Sequence, residues 1–133
     1  MKYFLDTNVI IDAIKNKSPC LKNHFEDTYT TDFFVYSVVV AELEFGAAHS
    51  NYYSRNKALY EQFIKDFTIV PFEKRYCESY GELRQYLTKS GQVIGWNDML
   101  IAATAIANSG ILVTHNTAEF ERIPNIQLED WTK

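Results

Sequence analysis

The stretch Tyr3-Phe4-Leu5-Asp6-Thr7-Asn8-Val9-Ile10 governs how the rest of the chain is read. Tyr3 to Leu5 is a short apolar run without alternation, the pattern of a strand covered on both faces. Asp6-Thr7-Asn8 then supplies good helix-capping side chains, and Val9, Ile10, Ala13 and Ile14 form the apolar stripe of the helix that follows. A doubly buried strand that passes at once into a helix is the opening of a parallel α/β sheet flanked by helices. Asp6 then stands at the carboxyl end of a strand, on the edge where ligands of such sheets bind.

Further along, Phe33 to Val38 is β-branched and aromatic and reads as a second strand, with Glu42 in the next helix and Gly46 about one turn beyond. Before it, Ser18-Pro19 breaks the first helix and Leu21 to Phe25 begins another short one. From Tyr53 to Phe67, apolar Leu59, Tyr60, Phe63, Ile64 and Phe67 recur at helical spacing. Thr68 to Phe72 is a strand interrupted by Pro71, and Tyr76, Tyr80, Leu83 and Leu87 stripe a helix ending near Gly91. These two long helices are expected to form a hairpin projecting from the sheet. Trp96 or Asn97 opens a helix, Met99 to Ala107, that is apolar almost all round and stopped by Gly110. Ile111 to Thr114 reads as a strand, followed by a loop with Asn116 and Glu119, and the tail from Ile123 to Leu128 as a last short strand. With no repeat, linker or low-complexity segment, residues 1–133 read as one domain.

Four acids far apart in the chain, Asp6, Glu42, Asp98 and Glu119, each fall where a strand hands over to a helix. Carboxylates gathered at one sheet edge repel unless a hard divalent cation neutralises them. The set therefore points to a Mg²⁺ or Mn²⁺ site for phosphate chemistry. Taken singly, Asp6 is also a good helix cap, Asp98 a first-turn acid, and Glu42 and Glu119 ordinary solvated residues. The metal reading belongs to the four together.

Bulk properties narrow the field. The 47% hydrophobic and 23% charged composition is that of an ordinary globular domain, and no apolar run approaches the ~20 residues of a membrane span. An acid already at Asp6 argues against a signal peptide, so a cytoplasmic protein with no membrane partner is expected. Cys20 and Cys77 form no metal-binding spacing and read as free thiols, buried or half-buried. A net charge of −4 confines any RNA-binding surface to local groups, such as Lys15, Lys17 and Lys22, or Lys74, Arg75, Arg84 and Lys89. There is no P-loop or dinucleotide fingerprint, and Ser37 lies in no nucleophile elbow. His24, His49 and His115 lack metal spacing, and His115, although near the acids, reads as a surface or packing residue.

Four motifs occur in order. They are Leu5-Asp6-Thr7-Asn8; Ala41-Glu42-Leu43 with Gly46; Ile94-Gly95-x-Asn97-Asp98 before Leu100-Ile101-Ala102-Ala103; and Leu112-Val113-Thr114-x-Asn116 with Glu119-Phe120. With the ending Arg122-Ile123-Pro124 through Leu128-Glu129-Asp130-Trp131, the set resembles the PIN-domain ribonucleases, and more closely the VapC toxins of bacterial toxin–antitoxin pairs. The resemblance implies a Rossmann-like parallel sheet and a magnesium-dependent endoribonuclease acting on structured RNA, either tRNA or a ribosomal RNA hairpin, with tRNA favoured. It also implies a homodimer, inhibition by a VapB-like antitoxin, and contact with DNA only through that antitoxin.

By matched position, Asp6, Glu42, Asp98 and Glu119 would form the acidic site, with Thr7, Thr114 and Asn116 as polar support. Asp6 and Asp98 would hold the metal directly, and Glu42 would hold it or orient a water. Glu119 would complete the site or a second metal, although this family often carries Asp there. The antitoxin is expected to lie in a groove lined by aromatic residues and send a basic side chain to the acids. The alternative is a degenerate PIN-like or receiver-like metal-binding interaction module without nuclease activity. A receiver would want a Lys after a late strand, and none follows Thr114 before Lys133.

Overall fold

The structure, a computed structural model, describes residues 1–133. Strand β1 (Tyr3–Leu5) lies at the centre of a five-stranded sheet, between β2 (Phe33–Tyr36) and β4 (Ile111–Val113). Strands β3 (Thr68–Val70) and β5 (Gln127–Glu129) form the edges, and every pairing is parallel. Phe4 is paired with Phe34 on one side and Leu112 on the other. Phe4, Leu5, Leu112 and Val113 are all buried, as a strand packed on both faces requires. The chain steps outward from β1 to β2 and β3, then returns to the far side of β1 for β4 and β5. The direction of winding therefore reverses between β1 and β4, and the crevice beyond their carboxyl ends is the place where such sheets bind ligands.

The helices are α1 (Thr7–Ile14), α2 (Pro19–Glu26), α3 (Ser37–His49), α4 (Tyr53–Ile64), α5 (Lys74–Lys89), α6 (Trp96–Ala107) and α7 (Thr117–Phe120). Helices α1, α3 and α4 pack on one another, α5 packs along α6, and α3 also meets α6. No helix is long and apolar enough to cross a membrane.

The expected hairpin of the two long helices is corrected in its pairing: α4 folds back on α3, and α5 packs on α6. The Ser50 hydroxyl closes the α3–α4 turn, donating to Ala47 O and accepting from Tyr52 N and Asn56 Nδ2. Strand β3 then carries the chain to the sheet edge, and α5 gains more by covering α6, whose residues Met99 to Ala105 are all buried. Other boundaries shift for local reasons. Strand β2 stops at Tyr36 because Ser37 begins α3, its hydroxyl donating to Val70 O at 2.9 Å. Strand β3 stops before Pro71, which has no N–H to give. Glu119, expected in a loop, lies on the single turn of α7.

Two features fix the core. Trp131, 1% exposed, returns the tail to the N-terminal half, where its ring meets Tyr3, Phe25 and Phe33 edge-on and stacks on His24 at 4.9 Å. At the end of α6 the left-handed residue is Ser109 (φ 55°), and Gly110 N bonds Ala105 O at 2.9 Å. The need for glycine at 110 is one of space, because a Cβ there would stand 2.5 Å from Cδ1 of the buried Phe4 ring. Gly110→Ala should therefore cost about 1–3 kcal/mol through overpacking in the central strand. Denaturant unfolding measures it, and an unchanged midpoint would mean that the Phe4 ring yields freely.

Candidate active site at the sheet switch point

Asp6 follows β1, and its backbone N–H continues the ladder to Val113 O of β4 at 3.0 Å. Its side chain is thereby delivered to the switch point and is 9% exposed. Both carboxylate oxygens are engaged: Oδ1 accepts from Thr7 N at 2.8 Å and Oδ2 from the Thr114 hydroxyl at 2.9 Å. The Thr114 oxygen accepts in turn from Asn116 N at 3.0 Å, and Asn116 Nδ2 donates to Glu119 Oε2. A chain of bonds thus runs from Asp6 through the turn after β4 to Glu119.

The other two acids come from helices that end on the same edge. Glu42 lies on α3, half-buried, with Thr7 and Asn97 beside its carboxylate. Neither neighbour makes a well-directed hydrogen bond to it, so the buried atoms Glu42 Oε1 and Thr7 Oγ1 have no partner. Asp98 occupies the first turn of α6. Gly95 before it leaves room for the Asn97 and Asp98 side chains, since a Cβ at 95 would lie 3.0 Å from Asn97 Oδ1 and 3.9 Å from Asp98 Oδ2.

The electrostatics tie the set together. Burial pushes Asp6 above the usual carboxylate range, and Glu119 adds to the rise; the bonds from Thr114 and Thr7 and the nearby His115 pull the other way. Glu42 is raised by burial and then by Asp6. Asp98 is pushed up to about 6 by burial, then by Asp6, Glu119 and Glu42. None of the four forms an ion pair with a Lys or Arg. The basic residues considered above are partly engaged elsewhere: Lys17 pairs with Asp12, Lys22 with Glu26, and Arg75 with Glu73, while Arg84 donates to the Tyr80 hydroxyl.

All seven site residues expected from the sequence, Asp6, Thr7, Glu42, Asp98, Thr114, Asn116 and Glu119, therefore fall in one network of contact or charge. No three His, Cys, Asp or Glu side chains stand at the spacing of direct ligands to one ion. The donor set is nonetheless all oxygen, short of positive charge, and includes an unpartnered buried carboxylate atom. A hard cation that keeps several of its own waters fits such donors. Sequence reasoning missed two participants. Asn97 could have been found from its place one residue before Asp98. His115 packs, as expected, with its ring between Asp12 and Asp130, and only its reach to the Asp6 carboxylate goes unforeseen. The two cysteines are free, but both are exposed, which corrects the expectation that they are buried or half-buried.

The raised carboxylates have a cost that can be measured. Asp98 binds its proton more tightly folded than unfolded, so its stabilising contribution is full below its ordinary value of 3.8 and is lost as pH rises through about 6. In EDTA at pH 7.5, Asp98→Asn should be more stable than the unmodified chain by about 1 kcal/mol, a figure already reduced for solvent screening. At pH 4 the two should melt alike. Equal stability at pH 7.5 in thermal unfolding would mean that neither burial nor the neighbouring acids strain the Asp98 carboxylate.

Comparison with known proteins agrees along nearly the whole chain. The PIN domain profile matches residues 3–126. Ribonuclease VapC2 of Rickettsia felis is 39% identical over 134 aligned positions spanning 100% of both chains. The tRNA(fMet)-specific endonuclease VapC of Salmonella typhimurium is 35% identical over 98% of each. The crystal structure of DNA-bound VapBC from Salmonella typhimurium includes a chain with a TM-score of 0.92 and 35% identity, matched over 98% of both chains.

Proposed function

The chain belongs to the PIN-domain family and, within it, to the VapC ribonucleases, and on that premise we propose that it is the divalent-metal-dependent endoribonuclease of a toxin–antitoxin pair. The observation that carries the proposal is the gathering of Asp6, Glu42, Asp98 and Glu119 at the switch point without a Lys or Arg to neutralise them. Asp6, Asp98 and Glu42 would hold Mg²⁺ or Mn²⁺, with Glu119 completing the site. When bound, such an ion supplies positive charge against a scissile phosphodiester and acidifies water.

The chain's own residues divide the remaining work. Asp6 cannot swing, because Thr7 N–H and the Thr114 hydroxyl each hold one of its oxygens. Glu42 Oε1 has no partner within the protein, which leaves it free to face the ion or to orient a water beside it. Asn116 fixes the rotamer of Glu119. Structured RNA, and tRNA foremost, is the proposed substrate, in line with the name of the Salmonella relative.

The proposed partner is a VapB-like antitoxin, as in the VapBC complex. A groove of about 370 Å³ between α1, α3 and α4, lined by Ile11, Ile14, Leu43, Ala47, Leu59 and Tyr60, suits the apolar face of such a partner. Five of its ten lining residues are aliphatic and one, Tyr60, is aromatic, so the groove proposed here differs from the aromatic-lined one expected. A net charge of −4 leaves DNA contact to the antitoxin within the complex. We further propose a cytoplasmic homodimer.

Asp6→Asn should reduce RNA cleavage by at least roughly 100-fold without loss of fold, and Thr114→Val by on the order of 10-fold. EDTA should abolish cleavage and Mn²⁺ restore it. Sequencing of RNA 5′ ends after induced expression, against Asp6→Asn, reads the target directly. Undiminished cleavage by folded Asp6→Asn would sink the assignment, and a metal-replete chain that cuts no RNA would favour the binding-module reading. For the partner, Leu59→Asp places a charge in the groove and should weaken VapB-like antitoxin binding on the order of 100-fold in a titration. Unaltered affinity would move the antitoxin elsewhere.

A further inference from the structure

The turn after β4 carries three consecutive polar side chains, Thr114, His115 and Asn116. Thr114 holds Asp6 and Asn116 holds Glu119. His115, between them, takes no part in either bond. Its Nε2 lies 3.1 Å from Asp12 Oδ2 on α1, and its Nδ1 lies 3.8 Å from Asp130 Oδ1 in the tail. Both ring nitrogens are sealed from solvent, and neither makes a well-directed hydrogen bond, to these carboxylates or to any other group. The ring is thus enclosed by two carboxylates, touching one and near the other, without a directed bond to either.

The groups on either side of the ring are themselves fixed. Asp130 Oδ1 accepts from Thr132 N at 2.9 Å and from the Thr132 hydroxyl at 2.6 Å. Trp131 is buried, with its indole N–H bonded to Glu129 Oε1 at 2.9 Å. Thr114 N bonds Glu129 O at 3.1 Å, so the turn and the tail share a backbone contact as well. Asp12 stands on the helix that Asp6 caps. The imidazole is thus the side-chain link between the start of α1, the turn after β4 and the tail.

We propose that His115 is a positioning residue for the acidic site, clamping the 114–116 turn to Asp12 and Asp130 so that Thr114 and Asn116 hold Asp6 and Glu119 in place. Each of those two bonds depends on where the turn lies, and a small displacement loosens both carboxylates together. A ring that merely filled space would not need two carboxylates from distant parts of the chain at its two nitrogens. The inference rests on the ribonuclease reading for its kinetic arm alone.

The test uses the full chain with His115→Ala and, should that variant fold poorly, Asp130→Asn, which keeps the ring. Each should lower kcat for RNA cleavage roughly 10-fold with KM changed less than about twofold. The side-chain amide resonances of Asn116 should shift, and Mn²⁺ binding, read by electron paramagnetic resonance, should weaken roughly 10-fold. His115→Arg, which can donate on two sides, should recover part of each loss, and the double variant should be no worse than His115→Ala. Unchanged kcat, Asn116 resonances and Mn²⁺ affinity in a folded variant would overturn the proposal. So would a raised KM at unchanged kcat, which would make His115 a substrate contact. Absence of cleavage by the unmodified chain counts against the ribonuclease reading, and the resonance and Mn²⁺ arms then decide the role of His115 by themselves.

Discussion

The hydrogen bond from the Thr114 hydroxyl to Asp6 is the interaction on which the rest of the site depends. It joins the carboxyl ends of the two strands between which the winding reverses, and it lies in the interior, where Asp6 is 9% and Thr114 0% exposed. A carboxylate at such a depth is costly unless it is bonded. The protein meets that cost with a backbone amide and a hydroxyl and leaves the remaining negative charge uncompensated. Glu42, Asp98 and Glu119 then add like charge around a group that cannot move away.

Glu44 shows what this chain does with a carboxylate that serves structure. Only two residues from Glu42, it accepts from the hydroxyls of Tyr53 and Tyr60 and pairs with Lys57 at 3.2 Å. The bonds from Tyr53 and Tyr60, then Lys57, hold its pKa down to about 2. Asp98, raised by burial first and then by the acids around it, lies near 6. The same residue class is supplied with donors at one place and deprived of them at another. That contrast marks a site arranged for a positive ligand better than any single shift does.

Much of this was legible in the sequence because it is local. Tyr3-Phe4-Leu5 against Asp6-Thr7-Asn8 reveals a strand, its end and the acid delivered there. The same holds for Ile111 to Thr114, and for Asp98 one turn into an apolar helix. Features set by distant packing were not legible. Nothing in Tyr53 to Phe67 says that α4 turns back on α3, since its stripe fits either neighbour and the choice is made by the Ser50 turn and by the surface of α6. Gly110 looks like a helix stop, and only the Phe4 ring explains why no side chain fits there. His115 looked idle because its partners are Asp12 and Asp130, far off in the chain in opposite directions.

The bond between Asp6 and Thr114 spans 108 residues. Strand β1 receives its neighbour β2 early, but its other neighbour, β4, comes only after four further helices and a strand have been laid down. Contacts of such long sequence separation form late, after the loop they close has lost its freedom. An intermediate folded only as far as β3 would hold Asp6 and Glu42 with one side of the central strand still open. Asp98, Glu119 and the hydroxyl that steadies Asp6 would all be missing. The acid that begins the chain's first helix is completed by insertion of the fourth strand, so the topology itself sets the time in folding at which the site comes into being.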